Sequence, residues 1–206
     1  MKKQLAAATL FLFIGLCSFT SNEKGYQVGD KAEGFNLKNV DGKMISLADY
    51  GKSKGVILIF TCNHCPFSKK YEGRILELDK SFKKQGWPVV AISSNDPNVQ
   101  PEDSFENMQK LAKQKKYSFP YLFDETQAIA KTYGATKTPH VFLLENTKEG
   151  FMVQYIGAID DNAEDAKSVS TKYVEQAIHE IDKGNKPNPS VTKAIGCSIK
   201  WKKTAE

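Results

Sequence analysis

A run of five apolar residues, Val56-Ile57-Leu58-Ile59-Phe60, gives way within two positions to Cys62-Asn63-His64-Cys65 and then to a helical pattern, and this junction constrains the chain more than any other segment. The run is too apolar for a half-exposed strand and reads as a buried central one. Tyr71, Ile75, Leu78 and Phe82 follow at 4-3-4 spacing, which predicts an amphipathic helix ended by Gly86. Two cysteines three apart at a helix start can close a small reversible disulfide, and the helix N-terminus lowers the pKa of the leading thiol. The same spacing serves as half of a zinc site. A zinc site needs a second ligand cluster, whereas Cys17, Cys197, His140 and His179 are scattered singly, so the junction points to redox chemistry without metal or organic cofactor.

The rest of the chain surrounds that strand with alternating elements. Phe35 to Val40 and Lys43 to Leu47 predict a hairpin with Asp41-Gly42 at its tip. Val89 to Ile92 is a second buried strand, residues 95–101 a loop, and residues 103–116 a helix with Phe105, Met108, Leu111 and Ala112 on one face. Phe119 to Phe123 is extended, Glu125 to Tyr133 a short helix closed by Gly134, and His140 to Leu144 with Phe151 to Ile156 a strand pair. A last helix spans Thr171 to Lys183. Parallel crossovers early and a hairpin late describe an α/β protein, a central mixed β-sheet flanked by helices with an N-terminal β-hairpin. The domain is expected over residues 26–184, with a tail over 185–206 kept extended at first by Pro187 and Pro189.

The 206 residues, 40% of them apolar, can build one real core. Lys2-Lys3, an apolar stretch from Leu5 to Phe19 and the polar run Thr20 to Lys24 read as a secretory signal over residues 1–20. The stretch is short for a membrane span, and Cys17, preceded by Leu16 instead of a small residue, is a poor lipidation site. Each outcome, cleavage, membrane anchoring or lipid, puts the folded part outside the cytosol, with a bacterial periplasm and a cleaved signal favoured. Without Lys2 and Lys3 the formal charge of +5 falls to about +3, carried by lysines interleaved with acids, which argues against nucleic acid as a partner.

Strand, CxxC, helix and, about 75 residues on, Thr138-Pro139 at the start of a strand form the thioredoxin arrangement. The segments VGDKAEGFNLKNVDGKMISLADY, GVILIFTCNHCPF, FPYLFDETQAIAKTYGATKTPHVFLL and QYIGAID resemble secreted thioredoxin-like proteins of the TlpA and ResA kind, within the AhpC/TSA superfamily. The ending TKAIGCSIKWK and the segments SSNDP and PEDSFENM resemble a peroxiredoxin-like subgroup. The resemblance implies a thioredoxin fold and a thiol-disulfide oxidoreductase acting on protein disulfides or dithiols with a redox partner. Cys62 would be the exposed attacking thiolate and Cys65 the buried resolving thiol. His64 would hold the Cys62 thiolate, and Thr138 with a cis Pro139 would face the CxxC and pair with an extended substrate.

Departures from the pattern are informative. The strand before the CxxC holds no acid, leaving Asp124 and Glu72 as conceivable proton carriers for Cys65, and Thr61 stands where a tryptophan is usual. Cys197 is a possible third thiol: either a small residue in a docked tail or a partner for Cys62, a small-molecule thiol or another protomer. Trp201 could dock that tail. Two alternatives stay open. A thiol peroxidase would set a Thr or Ser three residues before its cysteine and use a distant arginine, but Ile59 stands there and Arg74 is the only arginine. A metal- or haem-handling binder using the CxxC thiolates is weakened by few Met and scattered His.

Overall fold

The computed structural model describes residues 25–203, so the expected signal segment and Cys17 lie outside the described residues. The elements run β1 (Asn36–Asn39), β2 (Met44–Ser46), β3 (Gly55–Phe60), α1 (Pro66–Phe82), β4 (Val89–Ser93), α2 (Phe105–Lys115), β5 (Tyr121–Phe123), α3 (Ala128–Tyr133), β6 (Lys137–Thr138), β7 (His140–Thr147), β8 (Gly150–Gly157), α4 (Tyr173–Asp182) and β9 (Cys197–Ser198). Seven strands form one sheet in the order β2-β1-β5-β4-β3-β7-β8, and β6 pairs with β9 beside it. Strands β3, β4 and β5 are parallel neighbours, and β7 and β8 close one side antiparallel.

The central strand is β3, all six residues of which are buried. Its alternation serves two layers, because successive side chains point to opposite faces. Ile57 and Ile59 join the core formed with Tyr71, Ile75, Leu78 and Phe82 of α1, Met108 of α2, and Val174, Ala177 and Ile178 of α4. Val56, Leu58 and Phe60 join the opposite core, with Phe35, Leu47, Ala130, Tyr133, Phe142 and Ile199. Gly86, at φ 97°, supplies the left-handed residue that ends the turn after α1.

Three helix starts differ from the sequence reading, each for a local reason. Helix α2 begins at Phe105, because Pro101–Asp103 forms a 3-10 turn and the Ser104 side chain caps the helix by accepting from Asn107 N. Helix α3 begins at Ala128: Gln127 turns left-handed at φ 62°, and Asp124 accepts from Ala130 N at 2.9 Å. Helix α4 begins at Tyr173 after Lys172 leaves helical geometry.

The sheet register places the chemistry. Phe60 at the end of β3 pairs with His140 at the start of β7, so Pro139, the residue before His140, comes beside the chain that leaves β3 into the CxxC. The Thr138-Pro139 bond is cis.

The tail is held along the domain. Ile156 pairs with Val191, Tyr155 Oη lies 2.5 Å from Thr192 Oγ1, and Ile199 N donates to Thr136 O at 3.2 Å. Trp201, expected to dock the tail, remains exposed, with Lys131 5.9 Å above its ring. Ile199, 3% exposed, is the side chain that docks instead, because it reaches the apolar layer beneath β6 and α3.

Candidate active site

Cys65 is the N-cap of α1 and Pro66 its first residue, a placement suited to proline because the first helical amide has no partner to lose. The chain from Thr61 to Cys65 is thus a short loop between the sheet and a helix N-terminus. Cys62, Cys65 and Cys197 are free thiols. Cys62 was expected to be exposed; it is buried, at 4%, and Cys65 at 0%. Thr138, His64 and Ser68 close around the Cys62 sulfur, and Cys197 of β9 lies against Cys65.

Three polar groups line the Cys62 sulfur: Thr138 Oγ1 is 3.3 Å away, His64 Nδ1 3.5 Å and Ser68 Oγ 3.9 Å. The Cys65 sulfur lies 3.2 Å from Thr138 O and 2.6 Å from the Cys197 sulfur. The structure therefore brings Cys62, His64, Cys65, Thr138 and Pro139 together, and it sets Cys197 against Cys65, not against Cys62.

Asp103 is the residue that sequence reasoning missed. Its carboxylate is fully buried and accepts from Asn63 N at 2.7 Å, His64 N at 3.0 Å and Asn95 Nδ2 at 2.7 Å, with His64 Nδ1 at 2.6 Å. An ionised carboxylate only accepts, so across the 2.6 Å contact His64 Nδ1 donates to Asp103. The imidazole is therefore shared: its strong contact is to Asp103 and its weak one to Cys62, both through the same nitrogen. The other candidate acids are occupied elsewhere. Asp124 caps α3 and binds Ser94 Oγ at 2.9 Å, and Glu72 pairs with Lys115 at 2.7 Å.

A second function of this network is to fix the loop. Asn63 donates to Glu102 O at 2.9 Å and accepts from Tyr121 Oη at 2.9 Å, so both middle residues of the CxxC are pinned from α2's approach and from β5. Asn95 continues the network to the tail, accepting from Lys200 N at 2.8 Å.

The thiols differ in acidity because they share one proton. The hydrogen bond with Cys65 first, then burial and then the Asp103 charge, pushes the Cys62 thiol up. Cys65 is pulled down, chiefly by the hydrogen bond from Cys62, with Cys197 and the Ser68 amide adding to it. Burial, followed by the neighbouring Cys65 sulfur, raises Cys197, while Lys200 and Lys137 act the other way. The contact between Cys62 and Cys65 thus acts in opposite directions on the two thiols, whose protons belong to the pair.

Groups outside the cluster bear on the alternatives. Arg74 is held by Asp160 at 2.7 Å and by Asn162 O at 2.6 Å and stacks on Tyr71, so the only arginine is committed to a different part of the domain. Cys62, His64 and Asp103 offer ligand atoms within 4.8 Å of one another, although the Asp103 oxygens already serve the loop. His140, buried beside Phe142 with Nδ1 unpartnered, has its pKa lowered to about 4 by burial.

A mixed sheet between helical layers, with a CxxC capping the helix after its central strand and a cis proline beside it, defines a thioredoxin-fold protein. Residues 28–172 match the AhpC/TSA family, and the chain belongs to that family. It is 28% identical over 166 residues to the thiol-disulfide oxidoreductase ResA of Bacillus thuringiensis subsp. konkukian (strain 97-27), spanning 76% of this chain and 90% of that protein. A crystal structure of an uncharacterized conserved protein from Geobacillus kaustophilus is similar at TM-score 0.79 and 38% identity, covering 87% of this chain and 94% of that one. The thioredoxin domain of a thiol-disulfide oxidoreductase from Bacteroides vulgatus shares the fold at TM-score 0.52 and 19% identity, covering 63% and 88%. These relatives place the chain among the ResA-like thiol-disulfide oxidoreductases.

Proposed function

We propose that this protein exchanges a Cys62–Cys65 disulfide with protein thiols outside the cytosol. The observation that carries the reading is the placement of the Cys62 and Cys65 thiols at the N-terminus of α1, both against Thr138, at 3.3 and 3.2 Å, beside the cis Pro139. In the reductive direction Cys62, as thiolate, attacks a substrate disulfide and one substrate sulfur leaves as thiolate. Cys65 then attacks the Cys62 sulfur of the mixed disulfide, which closes Cys62–Cys65 and releases the second substrate thiol. The oxidative direction is the reverse, and the supply of electrons falls to a separate redox partner.

Within this reading the Cys62 proton passes to Cys65 or to solvent as the first attack begins, which makes Cys62 the nucleophile. Thr138 Oγ1, 3.3 Å away, then donates to the Cys62 thiolate. The N-terminal segment supports export, with residues 1–20 removed or retained as an anchor. Reduction of insulin by dithiothreitol tests the activity: the protein should accelerate it, and Cys62→Ser should abolish the acceleration. Hydrogen peroxide should oxidise the reduced protein no faster than an ordinary thiolate, since Arg74 stabilises no group at Cys62. Stoichiometric zinc or copper binding by the reduced protein, without insulin turnover, would replace this reading by metal handling at Cys62, His64 and Asp103.

A further inference from the structure

The C-terminal tail reaches the CxxC by three independent attachments. Strand β9 pairs antiparallel with β6, Thr138 opposite Cys197 and Lys137 opposite Ser198. Gly196 makes that approach sterically open: a Cβ there would stand 2.0 Å from Thr138 O and 2.7 Å from Thr138 C. Beyond the cysteine, Ile199 is buried and Lys200 is bound on both backbone sides, its amide to Asn95 Oδ1 at 2.8 Å and its carbonyl to Asp96 N at 2.9 Å and Gln127 Nε2 at 2.8 Å. A segment fixed before and after Cys197 delivers its sulfur to a set place, and that place is 2.6 Å from the Cys65 sulfur. A disulfide bond is about 2.05 Å long, so a bond between these two needs only a small movement.

We propose that Cys197 is a third redox-active thiol, which exchanges with the Cys62–Cys65 disulfide by bonding to Cys65. The proposal rests on the exchange reading above for the origin of that first disulfide. The Cys197 thiolate attacks the Cys65 sulfur; the Cys65–Cys197 bond forms, the Cys62–Cys65 bond breaks, and Cys62 leaves with the electron pair. The proton lost by Cys197 passes to Cys62, or stays in solvent while the Cys62 thiolate accepts from Thr138 Oγ1 at 3.3 Å. The number of disulfides is unchanged, so the step draws on no outside oxidant. Lys137 and Lys200 favour the attacking thiolate, and Lys137 also binds Ser198 Oγ at 3.1 Å, which keeps it beside β9. The oxidised protein then exists as two disulfide isomers, one of which carries its oxidising equivalent on the tail and a free thiol at Cys62. Return of Cys62 to Cys65 releases the tail thiol again.

The test compares which thiol is free in the oxidised full chain. Wild type and Cys62→Ser are oxidised with diamide, exchange is stopped with acid, free thiols are blocked with N-ethylmaleimide in denaturant, and peptide mapping reads both the bonds and the labels, which separates any bond made by Cys17. Cys62→Ser should form the Cys65–Cys197 bond in most molecules, and Cys62→Ala should do the same if the serine variant folds poorly. Oxidised wild type should carry label on Cys62 in at least about a tenth of molecules, the fraction expected when the two isomers lie within 1.4 kcal/mol. Absence of the Cys65–Cys197 bond in both variants, with Cys62–Cys65 closing normally in wild type, would overturn the proposal and leave the exchange reading standing. Failure of wild type to close Cys62–Cys65 would instead remove the exchange reading and the proposal with it.

Discussion

At the scale of single residues the site is governed by one buried carboxylate that shares an imidazole with a thiol. Asp103 faces Cys62 with a negative charge that raises its thiol pKa, and His64 donates to that carboxylate from 2.6 Å. Removing the two groups should therefore have opposite effects on the reduced protein. His64→Ala leaves the Asp103 charge less neutralised and takes away the ring beside Cys62, so iodoacetamide should modify Cys62 at pH 7 about threefold to tenfold more slowly. Asp103→Asn removes the charge and should speed the same reaction by a similar factor, while costing about 1–3 kcal/mol in stability for the loop amides that lose part of their acceptor. Rates that move in the same direction in both variants would contradict this division of labour. The sequence makes the cysteines and the histidine legible because their chemistry is local. It hides Asp103, which sits 39 residues from His64 in the chain and reaches the CxxC only through folding. The segment PEDSFENM was visible as a distinctive stretch, yet nothing in its spacing relates it to the CxxC.

At the scale of elements, the junction between β3 and α1 could be read from periodicity alone, because a fully buried strand and a four-residue helical repeat leave different apolar patterns. The tail could not, since β9 is two residues long and its pairing with β6 is a long-range contact with no periodic signature. Its dependence on Gly196 gives a direct check. Gly196→Val would drive a side chain into the Thr138 carbonyl, so the tail should detach from β6 at a cost of about 1–3 kcal/mol. Hydrogen exchange at Ile199 N, bonded to Thr136 O, should then accelerate at least tenfold, and trypsin should cut at Lys193 and Lys200 before the domain unfolds. An unchanged exchange rate would show that the tail is held by Ile199 and Lys200 alone. The same comparison explains why Trp201 misled: aromatic size marked it as an anchor, but the smaller Ile199 is the residue that registers with the core.

At the scale of the whole molecule, the two-layer core and the sheet order place the cysteines, while burial of polar groups sets how the fold responds to acid. His140 opens β7 next to Pro139, and burial lowers its pKa from 6.5 to about 4. The folded state therefore keeps it neutral where the unfolded chain binds a proton, so its contribution is intact above pH 6.5 and is lost as pH falls toward 4, by about 3 kcal/mol at most. The urea midpoint should drop between pH 7 and pH 4.5, and His140→Leu should flatten that drop; an equal drop in the variant would assign the acid sensitivity to other groups. The central claim is that Cys62 and Cys65 form a reversible two-electron couple at the start of α1, and a redox titration reads it most directly. The full chain is equilibrated across a series of reduced to oxidised dithiothreitol ratios, quenched in acid, alkylated and mapped by mass. The account predicts a single transition in which the Cys62–Cys65 bond appears with the two-electron slope of about 30 mV per tenfold change in ratio, absent in Cys62→Ser and in Cys65→Ser. Cys62 and Cys65 that remain unbonded to each other across the whole range would contradict it.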